Sequence, residues 1–156
     1  MKLMIGAGSV RREGWLTLDA DASRQPDYVA TLPPMPLSLA LQQWDEVEWV
    51  HGVQSLYPWE ALDVLQRLRV MLSPDGLLVL EQPDARCAAR RILDSDTWTW
   101  WMFGDPKWKN PLHMCRWAYT PESLADMLRA AGFTRIELMP PQHHDAARDF
   151  RMEARP

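Results

Sequence analysis

Lys2-Leu3-Met4-Ile5-Gly6-Ala7-Gly8, followed after five intervening residues by Gly14-Trp15-Leu16-Thr17-Leu18-Asp19, is the stretch whose reading decides the fold. Leu3-Met4-Ile5 is a short apolar run that stops at a glycine-rich turn, which reads as a buried strand feeding that turn. Trp15 to Leu18 is a second extended run, and it ends at Asp19-Ala20-Asp21. Glycines at the carboxyl end of a first parallel strand let a ligand approach the backbone closely. An acid at the end of the second strand can accept hydrogen bonds from both hydroxyls of a ribose. Alone, the two-glycine turn reads equally well as a structural turn. With Asp19 it describes a nucleoside site on the carboxyl edge of an open sheet.

A dinucleotide site would add a third glycine and a helix whose N-terminus faces the pyrophosphate. Arg11 stands at that third position, and Gly14 with the next strand follows too soon for a full helix. The turn therefore suits a nucleoside ligand without phosphates, of which S-adenosylmethionine is the common one, and it disfavours a nicotinamide-binding oxidoreductase.

Outward from this stretch the chain alternates strands and helices. Tyr28-Val29-Ala30 and Val47-Glu48-Trp49-Val50 read as strands, with a short helix over 37–43 between them. Ser55 to Leu72 reads as the longest helix, with Trp59, Leu62, Leu65, Leu68 and Leu72 at helical spacing, Ser55 as cap and Pro58 in the first turn. Leu77 to Leu80 is a buried strand, and 84–93 a helix. Thr120, Pro121 and Gly132 bound a further helix. Phe133 to Met139 and Asp149 to Ala154 are closing strands joined by the loop Pro140-Pro141-Gln142-His143-His144-Asp145. The expected fold class is α/β: a mostly parallel seven-stranded sheet covered on both faces, with a C-terminal antiparallel hairpin and abridged N-terminal helices.

A chain of 156 residues is one domain by length, and 47% hydrophobic with 24% charged residues excludes disorder. A net charge of -4 argues against a nucleic-acid coat. Two cysteines do not make a disulfide scaffold, so the expected location is a reducing cytoplasm. No apolar run approaches the length of a membrane helix, and the apolar part of the opening residues is too short for a signal peptide.

The order of these motifs resembles that of short class I S-adenosylmethionine-dependent methyltransferases. It is most similar to the type 11-like group of predicted bacterial methyltransferases of polysaccharide clusters. Gly14-Trp15-Leu16-Thr17-Leu18-Asp19, Pro26-Asp27-Tyr28-Val29-Ala30-Thr31-Leu32, Trp44-Asp45-Glu46-Val47 through Ser55, Leu72-Ser73-Pro74-Asp75-Gly76, and His113 to Phe133 carry the likeness over nearly the whole chain. It implies a Rossmann-like class I fold over residues 1–156, with an aromatic lid insertion at about 95–119.

The resemblance also implies roles. Gly6, Ala7 and Gly8 would line the methionine part of S-adenosylmethionine. Asp19 would hold the ribose, Ala20 would lie beside the adenine, and Thr31 and Leu32 would sit at the adenine amino group. His51 would stand near the methionine end of the cofactor and the transferred methyl. Histidine is the natural base for a hydroxyl nucleophile near neutral pH, so His51 is the candidate catalytic residue. A core or helix-entry histidine bonded to the backbone is the plain reading of the same residue. Thr31 replaces the group's usual acid, Ser55 a second histidine and Gln54 a glutamate, while Gly52 loosens the turn after the fourth strand.

Five of the nine tryptophans fall between Asp96 and Tyr119. In the related group this insertion covers the substrate side, which makes Trp101, Trp108, His113 and Arg116 candidate acceptor contacts. The same aromatic residues equally suit mutual burial or a homodimer contact. From Arg86 to Arg116, six basic residues face three acidic ones (Asp94, Asp96 and Asp105), which would attract a phosphorylated acceptor, although a solvated surface explains them as well. No pair among His113, Cys115, His143, His144 and Asp145 has a standard zinc spacing, so no metal is expected. The expected function is methyl transfer to a hydroxyl of a small molecule or sugar. The rivals are an interaction protein on a degenerate methyltransferase scaffold and a nucleic-acid methyltransferase, the latter opposed by the acidic charge.

Overall fold

A computed structural model describes residues 1–92 and 96–156. Leu93 at the end of the expected 84–93 helix, Asp94 of the charge tally and the start of the insertion at 95 lie outside the described residues.

Seven strands form one sheet: β1 (Lys2–Ile5), β2 (Trp15–Asp19), β3 (Tyr28–Val29), β4 (Trp44–Val50), β5 (Leu72–Pro83), β6 (Arg135–Met139) and β7 (Asp149–Arg155). Their order is β3-β2-β1-β4-β5-β7-β6. β1 to β5 are parallel, while β7 is antiparallel to both β5 and β6. From β1 the chain steps outward to β2 and β3, then returns to the other side of β1 as β4. The carboxyl ends of β1 and β4 therefore flank the switch point, the crevice where open α/β sheets take ligands. The nine residues 6–14 between β1 and β2 form turns and no helix, as the spacing predicts.

Among the described residues, five α-helices accompany the sheet: α1 (Leu37–Ala40), α2 (Pro58–Met71), α3 (Ala85–Arg90), α4 (Trp98–Phe103) and α5 (Pro121–Ala130). Thr120 caps α5 by accepting from the Ser123 N–H at 3.2 Å, with Pro121 at the first helical position. α2 departs from expectation at its start. Val53–Ser55 is a separate 3₁₀ turn, in which the Ser55 hydroxyl donates to the Gly52 carbonyl at 2.6 Å. The helix begins after Tyr57, whose N–H donates to Glu60 Oε2 at 2.9 Å. Trp59 is not on the core stripe; it is exposed and stacked on Tyr57 with ring centroids 4.8 Å apart. The buried stripe is Ala61, Val64, Leu65, Leu68 and Met71. None of the described helices is long and apolar enough to cross a membrane.

The two faces of the sheet differ. Leu3, Ile5, Leu18, Val47, Trp49, Leu78, Leu80, Met152 and Ala154 share one face in register and join α2 and α5 in a single hydrophobic core. Arg69 of α2 ties the two helices by donating to the Gly132 carbonyl at 2.6 Å. The other face carries Lys2, Glu46, Glu48, Glu81, Arg151 and Glu153. There Lys2 pairs with Glu46 at 2.7 Å, Arg12 with Glu48 at 2.8 Å, and Arg151 with Glu153 at 2.8 Å. Arg12 and Lys2 also lie over the Trp15 ring, at 5.3 and 5.2 Å. The expected helical cover of both faces is thus corrected: helices cover one face, and long charged side chains shield the other. A parallel sheet is ordinarily apolar on both sides; here Glu46 and Glu48 alternate with Val47 and Trp49 along β4, while Met4 and Val79 remain apolar and buried on the charged face.

Leu68→Ala should lower the free energy of unfolding by about 2–5 kcal/mol through the cavity it leaves. Lys2→Ala, which breaks a half-exposed ion pair on the charged face, should change it little. Urea denaturation of both variants checks the contrast.

Candidate active site

The glycine turn adopts the backbone it was read to need. Gly6 and Gly8 have φ of +65° and +55°, which L side chains rarely adopt, and open space lies where a Gly8 Cβ would be. Asp19 Oδ2 accepts from the Gly8 N–H at 2.8 Å and Oδ1 from the Asp21 N–H at 2.9 Å. The carboxylate thus clamps the turn to the end of β2. A carboxylate offers about four acceptor positions, so Asp19 keeps capacity for a ligand. Arg11 does not line the turn. Its guanidinium donates to the carbonyls of Gly8 at 3.1 Å, Val10 at 2.6 Å and Gln25 at 2.9 Å, stapling the turn to the loop after β2. Ala7 and Ala20 are half-buried beside these groups. Thr31 is exposed, and the Leu32 side chain is part of the core. Leu32 therefore has only its main chain to offer.

At the switch point stands Trp49, paired with Ile5 and 3% exposed. Its indole runs beneath the turn after β4. A Cβ at Gly52 would lie 1.6 Å from Trp49 Nε1, and one at Gly6 would lie 3.8 Å from it. Gly52 has φ of -118°, so it is glycine for lack of space rather than for backbone freedom. The turn is filled by the indole, not loosened.

His51 follows β4 with φ of +52°, a left-handed backbone that is uncommon for a non-glycine residue. Such strain clusters at functional sites. Two bonds hold it. The His51 N–H donates to the Glu81 carbonyl at 2.8 Å, and ring Nε2 meets Asp149 Oδ2 in a short hydrogen bond. Asp149 opens β7, and its side chain is fully buried. Arg148 Nε donates to Asp149 Oδ1 at 2.6 Å. Burial pushes the Asp149 carboxyl up, but the hydrogen bonds from His51 and Arg148 outweigh it and hold the carboxyl below its ordinary range. With Nε2 engaged, Nδ1 is the ring nitrogen left to accept a proton.

His144 stacks on His51 with centroids 3.9 Å apart and planes 12° from parallel. Its Nδ1 is 3.5 Å from both Asp149 Oδ2 and Glu81 Oε1. Burial, then the charge of His51, lowers its pKa despite Asp149. Ligating atoms of His51, His144 and Asp149 lie within 4.8 Å of one another. An imidazole binds an ion in its own ring plane, and these two nearly parallel planes cannot share one unless a ring turns. In this arrangement the hydrogen bond that orders the cluster is the one between His51 and Asp149.

A cavity of about 470 Å³ opens beside His51 and His144. Trp100, Trp101, Trp108 and Met114 form its apolar wall, and Gln54 and Arg148 are among its polar groups. Arg91 lies over the Trp101 ring at 4.4 Å, Lys107 over Trp100 at 4.8 Å, and His113 stacks on Trp108 at 5.1 Å. Cys115 also lines the cavity, but burial pushes its thiol up to about 11, so it is no nucleophile near neutral pH.

Of the residues singled out in the sequence, the structure brings His51, Trp101, Trp108 and His113 to this cavity. Arg116 lies outside it, in a shallower groove with Pro106, Lys109 and Asn110. There its guanidinium is 3.4 Å from Glu60 and lies over the Tyr57 ring. Gly6 to Gly8 and Asp19 form a second cluster at the ends of β1 and β2. Sequence reading missed Asp149, Arg148 and Trp49, and weighed His144 only as a metal ligand. His143-His144-Asp145 read as a loop, and only the antiparallel pairing of Pro83 with Asp149 carries the end of that loop to His51.

Residues 42–138 match the family described as "Methyltransferase domain". No curated protein matches the chain in sequence. Among solved structures it is similar to an S-adenosylmethionine-dependent methyltransferase from Clostridium acetobutylicum, at 6% identity and TM-score 0.69, covering 99% of this chain and 82% of that one. It is similar to the CcbJ methyltransferase from Streptomyces caelestis, at 15% identity and TM-score 0.64 over 99% and 82% of the two chains. The CMeT domain of the citrinin polyketide synthase aligns at 13% identity and TM-score 0.65 over 99% of this chain, which spans 45% of that chain's length. At such identities the likeness is one of fold: a Rossmann-like, mostly parallel sheet closed by an antiparallel hairpin.

Two outcomes follow from this geometry. Gly52→Ala should destabilise the protein by at least about 1 kcal/mol, because the new methyl overlaps the Trp49 indole; thermal unfolding checks it. His144 has a lowered pKa when folded, so the unfolded chain binds more protons between that value and 6.5. Stability should fall as pH drops through this window, and the melting temperature of His144→Gln should depend less on pH there.

Proposed function

The chain belongs to the methyltransferase-domain family, and we propose that it transfers a methyl group from S-adenosylmethionine to a hydroxyl of a small-molecule or sugar acceptor. The observation that carries this reading is His51. It sits in a strained left-handed backbone at the carboxyl end of β4, is oriented by buried Asp149, and faces an aromatic-walled cavity.

The residues present fit the cofactor. The open turn at Gly8 admits a ligand against the backbone, Asp19 keeps acceptor capacity for ribose hydroxyls, and the absent helix matters only to a ligand with phosphates. Gly6, Ala7 and Gly8 would hold the amino-acid end, Asp19 and Ala20 the nucleoside, and the Thr31–Leu32 main chain the adenine edge. Bound there, S-adenosylmethionine supplies a methyl group already activated on a sulfonium.

The protein's own work is positioning and proton removal. The indoles of the 96–119 segment act as a lid that holds the acceptor and limits water. His51 Nδ1 takes the acceptor's hydroxyl proton while Nε2–H stays on Asp149. That carboxylate fixes the tautomer and stabilises the imidazolium. His144, held neutral, adds no competing charge beside it.

A second reading, an interaction protein on a methyltransferase scaffold, draws support from one observation. Both Asp19 oxygens already serve backbone N–H groups of the chain itself.

Calorimetric titration separates the two. The methyl-transfer reading expects binding of S-adenosylmethionine and S-adenosylhomocysteine but not NAD. His51→Ala should then lower kcat by about 10²–10⁴-fold while S-adenosylhomocysteine still binds. Folded protein that takes neither adenosyl ligand would leave the interaction reading in place.

A further inference from the structure

Three residues past His51, the Gln54 side chain holds an acceptor that the fold leaves unused. Among the described residues, side-chain polar atoms of Gln54, Gln82 and Arg151 are buried without a hydrogen-bond partner. Of these residues only Gln54 lines the cavity. It is 7% exposed, and its unmet atom is Oε1. An unpaired buried acceptor is costly, and buried amides ordinarily find a donor.

The rest of Gln54 is tied down. It sits in the 3₁₀ turn Val53–Ser55, and its main-chain carbonyl accepts from the Arg116 N–H at 2.8 Å and the Trp117 N–H at 3.1 Å. Burial raises the Cys115 thiol, and a hydrogen bond from the Gln54 side chain draws it part of the way back. Only a donor has that effect on a thiol, so Nε2 is the end of the amide turned to Cys115. Oε1 is left over, and the terminal torsion of a glutamine is soft enough to turn it toward a ligand.

The setting says what kind of donor answers it. His51 and Gln54 line the same cavity from the turn that follows β4. An amide oxygen only accepts, so an ether oxygen cannot satisfy it, whereas a hydroxyl can. An ammonium is opposed by Arg91 and Lys107, which already hold positive charge against the Trp101 and Trp100 rings.

We propose that the acceptor is a 1,2-diol. One hydroxyl gives its proton to His51 Nδ1 as its oxygen takes the methyl group, and its neighbour donates to Gln54 Oε1. This deepens the methyl-transfer reading and rests on it for the role of His51.

The probes are two pairs of small molecules that differ by one hydroxyl: catechol with phenol, and cyclohexane-1,2-diol with cyclohexanol. The first pair stands for an aromatic acceptor, the second for a saturated, sugar-like one. Indole N–H shifts in ¹⁵N-labelled protein report the affinities, with the chain free and loaded with S-adenosylhomocysteine. The diol of at least one pair should bind about tenfold more tightly than its partner, and the pair that shows it identifies the source. Gln54→Leu should reduce that ratio to below about twofold, while Gln54→Glu, which keeps an acceptor, should retain it.

The Gln54 side-chain N–H signals of the wild type, identified by cross-peaks to the Cys115 β-protons, should move with the diol and not with its partner. This readout stands even if a variant does not fold. No preference in either pair, a preference that survives Gln54→Leu, or one that Gln54→Glu also abolishes would overturn the proposal. Protein that prefers the diol through Gln54 but binds no S-adenosylhomocysteine keeps the diol contact and loses the methyl-transfer reading. Protein that binds S-adenosylhomocysteine and prefers neither diol loses the diol alone.

Discussion

The site depends on one buried carboxylate. Glu81 Oε2 accepts from the Gln142 N–H at 2.7 Å, and Oε1 accepts from the N–H groups of His143 and His144 at 2.8 and 2.9 Å. The main-chain carbonyl of the same residue holds the His51 N–H. Glu81 thus ties the turn after β4 and the loop before β7 to one point on β5. Hydrogen bonds to an ionised acceptor are roughly twice as strong as neutral ones, and a fully enclosed carboxylate needs all of them. Arg151, opposite Glu81 in register and itself buried, turns its guanidinium to Glu153. The His51–Asp149 pair is a product of this anchoring, since Asp149 enters β7 directly after the loop that Glu81 fixes.

Glu81 can play this part because the sheet has a polar side. With helices on only one face, the other is free to carry carboxylates, and Glu48 and Glu81 both project there. Glu48 engages Arg12 from the β1–β2 connection and lies 3.4 Å from His143 of the 140–148 loop. The two loops flanking the nucleoside and acceptor sides are therefore moored to the same charged face. The shortened first crossover and the charged sheet face are two aspects of one economy. Removing a helix between β1 and β2 uncovers sheet, and side chains such as Lys2 and Arg12 cover it with their methylene stems.

Much of the fold was legible in the residues. Leu3-Met4-Ile5, Trp15 to Leu18 and Leu77 to Leu80 announced strands by local pattern, and Thr120-Pro121 announced a helix start by capping chemistry. Asp19 was legible because it follows a strand at a fixed place. The errors have local causes. Ser55 looked like a cap, but Pro58 moved the helix start and Ser55 turned to Gly52 instead. Trp59 kept helical spacing without facing the core. The charged side of the sheet was hidden because Leu3-Met4-Ile5 and Leu77 to Leu80 are apolar on both faces, and its charges sit at strand ends, in β4 and in β7. Asp149 and His144 could not be foreseen from spacing, since their approach to His51 depends on the β5–β7 register and on Glu81.

The one-sided core also has a thermal consequence. Apolar surface exposed on unfolding raises the heat capacity, and polar surface lowers it. This chain releases apolar surface mainly from the layer between sheet and helices, and charged side chains from the other face. Its heat-capacity increment per residue is accordingly smaller than that of a sheet sandwiched between two helix layers. A smaller increment flattens the stability curve, so the balance between folded and unfolded chain varies less from cold to warm than the size of the domain alone suggests.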